Sequence, residues 1–162
     1  MIFFRILPLL EVVKNAGLTV EPVDDMPAKY DGHLDTHAEP RFIAVKRELH
    51  PADKTYVIAR EVGRCAQYYQ RDSPIINRPW KWRVLAEAPE EVRSRIRKLD
   101  AEFRGYCLMA LCATREDLVG FIKRNPKKVL AILCADNVIN FLLFKLRIQN
   151  WFASFYRCVV VR

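Results

Sequence analysis

Residues 59–64 read Ala59-Arg60-Glu61-Val62-Gly63-Arg64. Arg60 and Arg64 are four positions apart, so on a helix they leave from one side with Glu61 beside them. This is the shape of H-E-x-x-H with both histidines replaced by arginine. In the intact motif two imidazoles bind zinc and the glutamate acts as general base on the metal-bound water. A third ligand from elsewhere completes a tetrahedral site with one open position. A guanidinium stays protonated and has no lone pair to give, so Arg60 and Arg64 cannot be ligands. Glu61 is then a vestigial general-base position. Gly63 sits inside the same helix, where glycine costs about 1 kcal/mol relative to alanine, and points to close backbone packing.

The helix that carries these residues is predicted over Thr55 to Gln70, with Ile58, Val62, Cys65 and Tyr69 as one apolar stripe. On a helical wheel Arg60 and Arg64 fall roughly 160–220° from that stripe, so a solvent-facing charge cluster is the plain alternative to a remnant site. Upstream, Ile6 to Ala16 reads as a helix stopped by Gly17, and Leu18-Thr19-Val20 as a short strand. Glu21 to Pro40 reads as loop, Arg41 to Val45 as a strand, and Lys46 to Lys54 as a polar connection. Downstream, Arg71 to Pro89 is interrupted by Pro74 and Pro79 and reads as a long connection. Pro89 opens a helix to about Ala113, with Glu90 and Glu91 at its positive end and Val92, Ile96, Leu99, Phe103, Tyr106 and Ala110 as its buried stripe. Arg115 to Lys123 and Pro126 to Phe152 add further helix. The class is α+β, a small N-terminal sheet with four or five helices in a single domain spanning residues 1–162.

At this point the chain resembles the ImmA/IrrE type of zinc metallopeptidase. That family has an N-terminal helix ending in an Ala-Gly turn, a short strand, an extended I-x-V strand and a helix reading roughly f-T-L-A-H-E-L-G-H. Asn15-Ala16-Gly17-Leu18-Thr19-Val20 is similar to the opening element, Ile43-Ala44-Val45 to the extended strand, and Tyr56 to Arg64 to the signature helix. The family continues with E-x-E-A-N-x-F-A-x-x-L-L-M-P, whose second glutamate is the third zinc ligand. Asp100 to Ala113 lays onto that segment without a gap and puts Glu102 on the ligand position. The resemblance implies a zincin-like scaffold with a metallopeptidase-like core over 1–120 and a helical extension over 121–162. Arg60, Arg64 and Glu102 become former metal-site positions. It also implies a pseudoenzyme with a binding or regulatory role toward a peptide or a repressor-like protein. No catalytic residue, no metal and no cofactor are then expected, and zinc enters only if that reading fails. Two guanidiniums carry the charge of the missing dication, which suggests an ion cluster of Arg60, Arg64, Glu61 and Glu102 in the old metal pocket.

Other candidates are weaker. His33, Asp35 and His37 lie in a stretch bounded by Gly32 and Pro40, and His50 lies in another connection; surface histidines are expected. A rearranged hydrolytic site from Glu61, Cys65, Glu102 and Cys107 is the enzymatic alternative. Trp80-Lys81-Trp82-Arg83 mixes aromatics with cations, as single-stranded nucleic-acid surfaces do, and Lys123, Arg124, Lys127 and Lys128 could extend it. The net charge is +8, and the excess lies wholly after residue 80, which admits a basic nucleic-acid-binding module as the alternative function. The odd set Cys65, Cys107, Cys112, Cys134 and Cys158, without a C-x-x-C pair, reads as reduced thiols of a cytoplasmic protein. Val129 to Phe144 is apolar but holds Asp136, Asn137 and Asn140, short of a spanning helix, and no membrane partner is expected. The final helix is apolar around much of its circumference, which suits a core helix or a homo-oligomer contact.

Overall fold

The computed structural model describes residues 8–69 and 75–160, and the side chains of all of these except 66–69 and 155–160. The parts of the sequence reading that rest on Ile6, Gln70 to Pro74, and the side chains of Tyr69 and Cys158 lie outside the described residues. The elements run α1 (Leu9–Asn15), β1 (Thr19–Val23), β2 (Gly32–Asp35), β3 (Phe42–Lys46), α2 (Pro51–Tyr69), α3 (Pro79–Glu87), α4 (Glu90–Cys112), α5 (Arg115–Arg124), α6 (Pro126–Leu133) and α7 (Ala135–Val160). The class is α+β, as expected. The three strands form one sheet in the order β1-β3-β2, with β1 parallel and β2 antiparallel to the central β3.

Local chemistry accounts for the element ends. Gly17 takes φ +70°, a left-handed value that suits a residue without Cβ. The Gly17 N–H donates to Lys14 O at 3.0 Å and the Leu18 N–H to Val13 O at 3.1 Å, closing α1 with a Schellman turn. Several expectations need correction. The described residues hold seven helices rather than four or five, and Pro126 to Phe152 is divided at Cys134 between α6 and α7. Gly32 to Asp35 is a strand, not loop; its alternation is only four residues long, with Gly32 and Leu34 inward and His33 exposed. The motif helix begins at Pro51, within the stretch read as a polar connection, because proline fits a first helical turn and the His50 Nδ1 accepts the Ala52 N–H at 3.2 Å. Pro79 likewise opens α3 inside the stretch read as a connection.

α2 is the central helix. Its Tyr56, Val57, Ala59, Arg60, Glu61, Val62 and Cys65 are all buried, so the burial wraps around the helix rather than following one stripe. The reason is that α2 lies between the sheet and α4. On α4 the fully buried residues are Ile96, Asp100, Ala101, Gly105 and Met109; of the expected stripe Ile96 is buried, Val92, Leu99, Phe103 and Tyr106 are half-buried against the two cores, and Ala110 is exposed. Small residues on that face let the two helix backbones meet. A Cβ on Gly105 would fall 2.5 Å from Arg60 Cα and 2.7 Å from Arg60 N. A Cβ on Gly63 would meet Arg104 Cβ at 3.0 Å and Gly105 N at 3.2 Å. The mid-helix glycine is therefore explained by backbone approach.

The main core joins α1, the sheet, α2 and the C-terminal half of α4 to Phe121, Val129 and Ile132. The ring of Phe121 stacks on Tyr56 with centroids 4.3 Å apart, so the first part of the C-terminal extension is built into the same core. A second cluster holds Ile75, Ile76, Val84, Leu85, Ile96, Ile139 and Leu143 together. Among the described residues no single helix is long and apolar enough to cross a membrane.

Candidate functional site

The burial of Arg60 fixes the site. Its side chain is 10% exposed and that of Glu61 is 0%, which overturns the solvent-facing alternative for this pair. Arg60 Nε donates to Glu61 Oε1 at 3.0 Å and Arg60 Nη2 donates to the same oxygen at 2.8 Å. Arg60 Nη2 also donates to Asp31 Oδ1 at 2.8 Å and reaches the Gly32 carbonyl at 3.4 Å. The guanidinium thus ties α2 to the turn that opens the edge strand β2. Arg64 Nη1 lies 3.3 Å from Glu61 Oε2. That contact is a Coulomb attraction without hydrogen-bond alignment, and Oε2 is buried with no hydrogen bond among the described residues.

Glu102 takes a different place from the one expected. Among the described residues it forms no ion pair with either arginine, and Asp31 holds the position beside Arg60 instead. Glu102 stands in the same neighbourhood: its charge acts on the Tyr56 phenol and on Lys128. Lys128 arrives from α6, with Nζ 4.7 Å from the Tyr56 ring centroid and 3.9 Å from Asp31 Oδ2. The paired cluster therefore contains three cations, Arg60, Arg64 and Lys128, around two carboxylates, Asp31 and Glu61, with Glu102 and Asp53 also acting on Lys128.

The electrostatics follow from this crowding. Burial disfavours the charged Arg60, but its hydrogen bond to Asp31 and the charges of Glu61 and Asp31 outweigh that, and its pKa is raised. Burial pushes Asp31 up, yet the Arg60 hydrogen bond and charge, with Lys128 added, bring it below the ordinary carboxylate value. Lys128 is held below its usual value, first by burial and then by the Arg60 charge, against the pull of Asp31. Tyr56 is pushed up by burial and by Glu102, and its hydroxyl is buried with no hydrogen-bond partner among the described residues.

This donor set does not fit zinc. Arg60, expected at a first ligand position, is a cation whose Nε and Nη2 are already committed to two carboxylates, and Glu61 is engaged by arginine on both oxygens. The rearranged alternative fares no better: among the described residues no three His, Cys, Asp or Glu side chains converge as a metal centre requires. Cys65 is buried, Cys107 and Cys112 are half-buried, and burial raises the pKa of all three thiols.

Arg64 lines two recesses. One, of about 580 Å³, is walled by Ile76, Trp82, Leu85, Glu90, Ser94 and the α4 residues Arg97, Lys98 and Asp100. The other, of about 260 Å³, is walled by His33, Leu34, Thr36 and His37 along β2. His33 and His37 are exposed, and Asp35 is used locally, accepting the His37 and Ala38 N–H groups at 2.8 and 3.1 Å. His50 is exposed at the start of α2.

Trp80, Lys81, Trp82 and Arg83 lie on α3 and not in a loop. Lys81 Nζ donates to Ile75 O at 2.8 Å and to Asn140 Oδ1 on α7, and Arg147 of α7 sits 4.9 Å over the Trp80 ring. Trp80, Lys81 and Trp82 are half-buried and Arg83 is exposed. This segment fastens α3 to α7. Asp31, Lys128 and Tyr56 were missed as site residues. Asp31 sat in a stretch read as loop, Lys128 was read as an extension of a basic nucleic-acid patch, and Tyr56 stood in the signature match without a role. The Asp-Gly pair at 31–32 ahead of Leu34 was the available signal for a turn into a strand. Comparison with protein-family models, with curated proteins and with solved structures gives no match for this chain.

Proposed function

We propose that the protein is a catalytically inactive relative of ImmA/IrrE-type metallopeptidases that acts by binding, toward a peptide or a repressor-like protein. The observation that carries this reading is the Arg60 guanidinium, buried and clamped by Glu61 and Asp31, at the position where the first zinc-binding imidazole of the motif would stand. The close crossing at Gly63 and Gly105 supports it, because it brings the motif helix onto the segment where the third ligand would reside. A zincin-like scaffold and a peptide or repressor partner come from the resemblance. β2 is an edge strand with a recess along it, which suits an extended peptide adding to the sheet.

The nucleic-acid reading has less support, since Lys81 and Trp80 of its proposed patch are engaged with α7. Metal analysis of the purified chain tests the proposal. Zinc well below one equivalent, with no hydrolysis of unstructured protein substrates, is expected. One tightly held equivalent that supports hydrolysis would overturn it.

A further inference from the structure

α7 presents two apolar faces. Ile139, Leu143 and the half-buried Leu142 and Leu146 face the protein. Phe141, Phe144, Ile148 and Phe152 recur at i, i+3, i+7 and i+11, within about 80° of arc on the opposite side. They are 66%, 57%, 39% and 59% exposed, and the 61%-exposed Trp151 packs edge-on against Phe152. The four aromatics leave on the order of 500 Å² of ring surface in solvent, near the upper end for a soluble monomer. From Arg147 to Ser154 every residue of α7 is exposed, so this half of the helix extends beyond the body.

The charges beside this stripe choose its partner. Lys145 and Arg147 flank it on its two sides, both exposed, with Arg147 also lying over the Trp80 ring of α3. The chain carries no acidic residue after Asp136. A second copy laid on the stripe would bring these cations into one contact with no carboxylate of α7 beyond Asp136 to answer them. An anionic surface answers them directly.

We infer that the outer face of α7 is a docking surface for an anionic lipid bilayer, with the rings at the headgroup–acyl boundary and Lys145 among the phosphates. The helix would lie in the interface and not span it.

Co-sedimentation of the full chain with vesicles of phosphatidylglycerol and phosphatidylcholine in equal parts tests this, with pure phosphatidylcholine vesicles alongside. Binding to the anionic vesicles that weakens with added salt is expected. Phe144→Ser/Phe152→Ser should weaken it at least about tenfold per ring. Lys145→Gln should weaken it about fivefold and flatten the salt dependence. All three positions are exposed, and circular dichroism of each variant verifies its fold. No sedimentation, equal binding to pure phosphatidylcholine, or binding indifferent to both variants would overturn the inference. So would a dimer in sedimentation equilibrium that the serine variant dissolves while vesicles are ignored; that outcome assigns the stripe to a second copy.

Discussion

Replacing Arg60 by methionine should destabilise the protein by about 3 kcal/mol. The substitution keeps the length and apolar stem of the side chain and removes the charge. Glu61, fully buried, would lose both hydrogen bonds to its Oε1 and keep only the misaligned contact of Arg64 at 3.3 Å. Removing one member of a buried pair costs about 3–5 kcal/mol, because the other charge is stranded. The residual Arg64 attraction argues for the lower end. The lost Asp31 contact adds little, since that carboxylate is 35% exposed and screened. Urea unfolding reads this directly. With a slope of about 2 kcal/mol per molar, the midpoint should fall by roughly 1.5 M at unchanged slope. The double variant Arg60→Met/Glu61→Leu should recover most of the loss, since an apolar pair can replace a buried ion pair at little cost. A shift below about 0.5 M for Arg60→Met, or a double variant less stable than the single, would refute the view that the guanidinium neutralises Glu61.

The helix crossing gives a paired test: Gly105→Ala forces a Cβ against Arg60 backbone and should cost more than 3 kcal/mol or abolish folding. Gly120→Ala meets a single side-chain atom, Ala52 Cβ at 3.3 Å, and should change stability far less than Gly105→Ala, so equal effects on thermal midpoints would contradict the packing argument. Asp31 is held below its ordinary value of 3.8, so its ionised form is favoured in the folded state. Its contribution is present above that pH and is lost as pH falls through the lower folded value. The stability difference between the protein and Asp31→Asn should therefore shrink on acidification below pH 3.8 and stay constant above it; a difference that grows toward acid would contradict the ion pair.

The sequence made the long helices legible because their apolar residues repeat with helical period over many turns. The R-E-V-G-R segment and its mid-helix glycine stood out as residues unusual inside a helix, whereas the helix that crosses it was paired with it only through the resemblance. The burial stripe of α4 was read wrongly at Ala110, since pattern reading favours large side chains and the contact with α2 is made by Ala101 and Gly105. β2 was hidden by its length. With it went Asp31, whose meeting with Arg60 depends on a contact across 29 residues of chain. Lys128 was illegible for the same reason: only the turn through Asn125, which donates to Asp53 Oδ1 at 2.7 Å, brings α6 over Tyr56. Glu102 was expected to pair with the arginines and forms no ion pair with either among the described residues, because side-chain reach is not encoded in spacing.

The account rests on arginine standing where zinc ligands would be, and Arg60→His/Arg64→His addresses that directly. Zinc titration of this variant against a chromophoric chelator should show one tight site, absent from the parent chain and weakened by adding Glu102→Gln. A correctly folded double variant with no zinc affinity, or a site indifferent to Glu102, would contradict the claim that a metal centre once occupied this cluster.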